Sequence, residues 1–380
     1  MAHEQTTHQA WYPKESLYAA FELSKKAWRV ECSAGGVKKM SATMKPGSIA
    51  ELSRILERAR GKLGLSAESR VLTCIEAGRD GFWPHRFLEG QGLEDLVVDA
   101  ASMKMPRRSR RAKSDKLDAA RLLADLIRYD RGDDDVWRVL HVPSSQDESD
   151  RHAHRELEQL QKDRTQERNR VRSLLATEGV RVSGDLMRSL ARLDTLRTWK
   201  GEPLPGAMLW RLERKRQRLE LVEAHIKEIE QYQVRSAKEA RTAKLEKIRK
   251  LATLRGIGVK SAWVIVMESL GWREFSNRKE VGGSVGLGGT PYNTGQSVRE
   301  QGISKAGSKR LRKTLVELSW LWVRYQPESS ITKWFVKRYG GQSKRARRIG
   351  IVGVARRRMI QLWHFLEHGV DPPGAVITKS

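Results

Sequence analysis

The sequence predicts an α/β domain over residues 16–145, a long charged helical segment over 146–250 and a mainly α-helical domain over 251–370, flanked by tails at 1–15 and 371–380. Three observations predict this order. Short apolar runs alternate with an amphipathic helical pattern up to about residue 145, as in α/β folds. From there to about 255, apolar residues recur every three, four or seven positions between dense charges. Beyond 255 the chain turns Gly-rich near 282–295 and then helical from about 306.

Each element has a local reason. "LYAAFELSKKAWRVEC" supplies two β-favourable runs around a Ser-Lys-Lys turn and predicts a hairpin, with "VKKMSAT" as a third run. In "PGSIAELSRILERARGKLG", Ile49, Leu52, Ile55 and Leu56 fall at helical spacing, and Gly61 and Gly64 end the pattern. "SRVLTCIEAG" is a compact apolar strand ending at Glu76, "DGFWPHRFLEG" is helix or loop, and "LEDLVVDA" is another strand. In "KSDKLDAARLL", Ser114 can cap a helix carrying Leu117, Ala120, Leu122, Leu123 and Leu126, so Asp115 and Asp118 sit in its first turn. Residues 146–250 read as a helical hairpin or coiled coil broken by "RTWKGEPLPG". So narrow an apolar stripe needs a partner helix, which also suits a dimer or tetramer contact.

Composition narrows the function. The 380 residues hold 73 Lys and Arg against 46 Asp and Glu, a formal charge of +27 whose natural partner is a polyanion, nucleic acid before an anionic membrane. No stretch approaches the roughly 20 apolar residues that span a bilayer. The start lacks a signal-peptide pattern, so a cytoplasmic protein is expected. Cys32 and Cys74 stand far apart with no clustered histidines, so any metal must be held by oxygen.

The carboxylates supply such oxygens. Reactive groups gather at the carboxyl ends of strands in α/β sheets, where Glu22 ends the first run and Glu76 the fourth. Asp115 and Asp118, three apart, share a helix face that could cross the same spot. Four carboxylates so close repel unless a cation neutralises them, and oxygen-only ligation suits Mg²⁺ or Mn²⁺. Such ions serve phosphodiester chemistry. The plainer reading is a helix-dipole role for Asp115 and a solvated strand end for Glu22.

The order "FELS … CIEAG … KSDKLDAARLL", followed by "LATLRGIGVKSAWVIVMESLG" and "GLGGTPYNTGQSVREQGISKAGSKRLRKTLVELSW", resembles the DEDD transposases of bacterial insertion sequences, the bridge-RNA-guided recombinases, over nearly the whole chain. The resemblance implies an RNase H-like (RuvC-type) N-terminal domain and a C-terminal transposase domain. It places a metal site on Glu22, Glu76, Asp115 and Asp118, and a nucleophilic hydroxyl at Thr294, before Gly295. Two residues depart from the family pattern. Glu22 stands where the family has aspartate, with Asp80 and Asp99 as nearby substitutes, and Thr294 stands where it has serine, with Ser297 as the alternative nucleophile. "NTG" also favours a tight turn for purely conformational reasons. The implied activity is metal-dependent DNA cleavage and strand exchange through a covalent protein–DNA intermediate, on element ends and target DNA chosen by a guide RNA. A junction nuclease using water, and a non-catalytic nucleic-acid-binding protein, are the other classes.

Basic stretches complete the reading. "KMPRRSRRAK" holds six positive charges, among them Arg107, Arg108, Arg110, Arg111 and Lys113, just before the aspartate pair. Gly256, Gly258 and Lys260 in "LRGIGVKSA" match the Gly-x-Gly turn of a helix-hairpin-helix. Lys305 is grouped with them. "VKRYGGQSKRARRIGIVGVARRR" carries nine basic residues and no acid, including Lys344, Arg345, Arg347 and Arg348, with Trp334 and Tyr339 for stacking on bases. Trp263, Trp320 and Trp322 read as core, and His152 and His154 as residues without chemistry.

Overall fold

The structure is a computed structural model that describes residues 15–103, 115–182, 184–294 and 297–378; at 101, 115–117, 291–294 and 297–301 it describes the backbone alone. The chain divides into two compact units, residues 1–142 and 143–380.

The first unit opens with β1 (Ser16–Glu22), β2 (Trp28–Ser33) and β3 (Lys39–Met44), antiparallel neighbours in chain order. Ser24 closes the first turn, its hydroxyl accepting from Ala27 N at 3.2 Å. α1 (Ile49–Leu63) is capped by Ser48, runs through Gly61 and is stopped by Gly64 at φ 76°, the second of the two glycines expected to end it. Then come β4 (Arg70–Glu76), α2 (Trp83–Gly90), β5 (Glu94–Val98) and α3 (Asp115–Asp130). The segment read as helix or loop is α2. Pro84 suits its first turn, and Trp83 and Phe87 pack on Trp28, with ring centroids 5.1 and 5.7 Å away.

The sheet runs β3-β2-β1-β4-β5, with β4 parallel to both β1 and β5. Strand alternation assigns the faces. Leu17, Ala19 and Phe21 share a core with α1 residues Leu52, Ile55 and Leu56. Tyr18, Ala20, Leu72 and Cys74 pack on the other face against Leu122, Leu123 and Leu126 of α3. Each leucine buried there contributes roughly 1.5–3 kcal/mol. The even-numbered residues of β1 and β4 therefore face α3, and Glu22 and Glu76 end those two strands on even numbers.

The second unit is helical apart from one hairpin. α4 (Ser145–Ser149), α5 (His152–Ala176), α6 (Leu186–Leu190) and α7 (Gly206–Glu239) come first. α5 and α7 pack side by side, Leu157 and Leu160 on Ile226 and, further along, Val171 and Leu175 with Leu212 and Leu219. This is the helical hairpin the spacing predicts. α8 (Ala243–Ala252) leads to α9 (Val259–Ile265), which continues as a π-helical turn over Val266–Leu270. α10 (Arg278–Ser284) precedes the hairpin of β6 (Gly289–Thr294) and β7 (Ser297–Ile303), then α11 (Lys309–Tyr325), α12 (Ser330–Tyr339) and α13 (Lys344–Glu367).

Three sequence readings are corrected here. Trp263 and Trp322 are core, but Trp320 is 39% exposed because residues two apart on a helix face nearly opposite sides. His154 is buried and joined to Glu268, 114 residues on, a pairing no local spacing reveals. Arg358, counted with the surface cations, lies in the core. Its guanidinium donates to Leu318 O at 2.6 Å and stacks on Trp322, and burial lowers its pKa to about 9.

Candidate active site and nucleic-acid interface

Glu22 and Glu76 end adjacent parallel strands. Phe21 pairs with Ile75, so the next residues, the two glutamates, emerge side by side on the α3 face. Asp118 lies one helical turn before Leu122, whose burial under β1 and β4 points that face of α3 at the strand ends. The three carboxylates line one pocket of about 190 Å³, together with Leu23, Gly78, Arg79 and Asp80. All three are half-buried. Asp115 starts the same helix, one turn before Asp118, and its side chain lies outside the described residues.

Of the two substitute acids, Asp80 lines this pocket, 3.9 Å from Arg79. Asp99 does not line it; the Asp99 carbonyl accepts from Ser102 Oγ at 2.7 Å. Among the described residues, no three His, Cys, Asp or Glu side chains are drawn tightly together as around a bound metal. The donor chemistry still fits a hard divalent cation, since every potential ligand is a carboxylate oxygen and the pocket has room for retained water. The two cysteines contribute nothing. Burial pushes the Cys32 thiol up to about 12 and Cys74 well above its ordinary value.

In the second unit, Thr294 ends β6 and Ser297 begins β7. They are cross-strand partners at the tip of the hairpin, so the two candidate hydroxyl residues occupy one place; their side chains lie outside the described residues. The base of the hairpin is clamped. Lys305 N donates to Gly286 O at 3.0 Å and Ser304 N to Gly288 O at 2.9 Å. Gly286 has φ +62°, and a Cβ there would meet Ala306 O at 2.1 Å.

The basic candidates divide. Arg107, Arg108, Arg110, Arg111 and Lys113 lie outside the described residues. Gly256, at φ +91°, makes the turn between α8 and α9, and Gly258 caps α9. Lys260 on that helix is paired with Glu230 of α7. Lys305 is exposed, with φ 58°. Lys344, Arg345, Arg347 and Arg348 are all exposed on the first turns of α13. Cations at a helix N-terminus oppose the helix dipole, a local cost that suits an anionic partner. Trp334 and Tyr339 pack on the same helix through Gly353 and Gly350, and Arg357 stacks 4.0 Å over Trp334.

The sequence reading missed a buried charge cluster. Glu268, on the π-helical turn, accepts from His154 at 2.8 Å, Arg310 at 3.1 Å, Arg155 at 3.2 Å and Ser308 at 3.2 Å. Burial alone would raise its pKa, but the hydrogen bonds and charges of His154 and Arg155 outweigh it and hold the carboxyl well below the usual range. Burial also lowers the pKa of His154, against the pull of Glu268. Arg155 of α5 and Arg310 of α11 thus converge on one acid, and the cluster ties those helices together.

An α/β sheet with a carboxylate pocket at its strand ends, followed by a strongly basic helical unit, suits a protein that works on nucleic acid. Comparison with known proteins names the group. A family described as "Transposase IS116/IS110/IS902 family" matches residues 248–333, and the DEDD transposase family of IS110 matches residues 37–178. A Sinorhizobium fredii protein named "Putative transposase y4rJ" is 36% identical over 378 residues, 95% of this chain and 94% of its own length. A Pseudomonas aeruginosa protein named "Probable family 20 transposase" is 29% identical over 181 residues, 47% of this chain and 52% of its own. The chain belongs to the IS110 family of DEDD transposases. That membership makes it, at the level of the family, a DNA-binding enzyme that cleaves and recombines DNA. No described helix is long and apolar enough to cross a membrane.

Proposed function

We propose that the chain cuts and rejoins DNA by transesterification through a hydroxyl of the β6–β7 hairpin, Thr294 by preference and Ser297 otherwise. The observation that carries the reading is the meeting of Glu22, Glu76 and Asp118 in one pocket. The sheet order with α3 across it fits an RNase H-like fold of the RuvC type. Glu22, Glu76, Asp115 and Asp118 would hold Mg²⁺ or Mn²⁺, which when bound supplies Lewis acidity for phosphodiester chemistry. The hydroxyl oxygen attacks phosphorus, the bond to the 3′ oxygen breaks, and the freed 3′ oxygen takes a proton. The phosphodiester energy stays in the protein–DNA link, so a second strand's 3′ hydroxyl can reverse the step and reseal without ATP.

Lys305, the α13 cations and the 104–113 stretch would hold DNA backbone. A guide RNA would choose the sites by base pairing, and a dimer or tetramer would form through the helical region. The test is a cleavage assay with Mg²⁺, copurified RNA and donor DNA, resolved on denaturing gels. We expect a protein–DNA adduct in wild type and Ser297→Ala that is lost in Thr294→Ala and Asp118→Asn. Cleavage without adduct, or cleavage undiminished in Asp118→Asn, would overturn the reading.

A further inference from the structure

Residues 179–247 lie outside both family matches. They hold the two most exposed tryptophans among the described residues, Trp199 at 73% and Trp210 at 66%. Both belong to the end of the α5–α7 hairpin, where Leu186, Leu190 and Leu204 form a small core with Leu175 and Leu212. Neither indole is exposed because its segment is loose. Trp199 and Lys200 are the central residues of a tight turn closed by Gly201 N donating to Thr198 O at 2.9 Å, and Trp199 N donates to Glu178 O at 2.9 Å. Gly179 makes room for this turn. It sits at φ +75°, and a Cβ there would lie 2.7 Å from Trp199 Cβ. Trp210 stands on the second turn of α7, on the side away from the buried Leu212, Leu219 and Ile226.

Each exposed ring carries a cation. Lys200 Nζ lies 5.2 Å from the Trp199 ring and the Arg214 guanidinium 5.0 Å from the Trp210 ring. Neither cation has a carboxylate partner among the described residues. From Arg197 to Arg218 there are seven basic residues against two acids. Two indoles held outward on rigid backbone, each beside an uncompensated cation, need a partner that is both flat and anionic. Unpaired nucleotides meet both needs, offering base faces to the rings and phosphates to Lys200 and Arg214, whereas a duplex hides its base faces in the stack. We propose that this tip is a stacking platform for single-stranded nucleic acid. The proposal rests on the nucleic-acid reading above for the class of partner and adds a site to it.

The test uses the full chain and labelled 20-nucleotide single strands of RNA and of DNA, with a duplex of the same sequence, read by fluorescence anisotropy at two salt concentrations. Trp199→Ala/Trp210→Ala should weaken binding of at least one single strand by about tenfold or more, as expected for lost base stacking. Duplex binding should stay within about twofold, with an unchanged circular dichroism spectrum. Gly179→Val, which displaces the turn by crowding Trp199 Cβ while leaving both indoles and both cations in the sequence, should weaken the same strand. The RNA and DNA arms say which single strand the platform takes. Single-strand binding undiminished in the double variant would overturn the platform while leaving the family reading intact, and so would equal loss of single-strand and duplex binding. A change in sedimentation mass of the double variant, or wild-type capture by anionic phosphatidylserine vesicles in place of oligonucleotides, would overturn it in favour of a self-interface or a membrane surface. Failure of wild type to bind any of the three nucleic acids would sink the nucleic-acid reading itself.

Discussion

Replacing Glu268 with glutamine isolates the charge cluster that joins α5 to α11. The carboxylate is 6% exposed and faces Arg155 and Arg310 within 3.2 Å, with His154 and Ser308 completing its hydrogen bonds. Glutamine keeps the shape but removes the charge that Arg155 and Arg310 share, leaving Arg310 its second partner, Glu158. Breaking a fully buried ion pair from one side costs about 3–5 kcal/mol, but Arg155 is 41% exposed and Arg310 keeps Glu158, so the cost here is about 1–3 kcal/mol. At about 2–4 °C per kcal/mol for a unit of this size, the apparent Tm should fall by roughly 2–12 °C. The control is Glu230→Gln, which removes a partly exposed partner of Lys260 and should cost less than about 1 kcal/mol. Thermal melting at neutral pH, followed by circular dichroism, reads both.

The same variant has a pH signature. Glu268 ionises at lower pH in the folded state than at its ordinary value of 4.5, so its stabilisation is complete above that value and is lost as pH falls below it. Stability of Glu268→Gln should therefore fall less steeply below pH 4.5 than that of wild type. Part of the acid dependence should remain, because Asp147, Glu158 and Glu167 are also held low, their hydrogen bonds to Lys244, Arg310 and Lys215 outweighing burial. Equal melting of Glu268→Gln and Glu230→Gln would refute the cluster as a structural tie.

Gly286→Ala should damage the base of the β6–β7 hairpin, since its Cβ would meet Ala306 O at 2.1 Å; we expect adduct formation to fall at least tenfold, and an unchanged yield would refute the clamp. Cys32 and Cys74 are both buried, with raised thiol pKa values, so a thiol-reactive dye should label neither until the protein is unfolded, as mass spectrometry would show. Chelation with EDTA should abolish cleavage, and Mg²⁺ or Mn²⁺ should restore it; activity that survives chelation would remove the cation from the proposed site.

Periodicity alone was enough to find most elements and to put Glu22 and Glu76 at strand ends, because a strand or a helix buries its apolar residues at its own repeat. It placed Asp118 in the first turn of α3 for the same reason. The resemblance to DEDD transposases was also legible, since it rests on ordered stretches of the chain itself. The β6–β7 hairpin was not anticipated, because Gly-rich sequence carries little periodic signal.

Tertiary structure decided what depends on residues far apart in the chain. Parallel pairing of β1 with β4 set Glu22 beside Glu76, and α3 crossing that face brought Asp118 to the same pocket. It also buried His154 against Glu268 and drew Arg358 into the core, while leaving Trp320 outside. Local spacing reports which residues share a face of one element, but which face meets which neighbour is settled only when the elements pack.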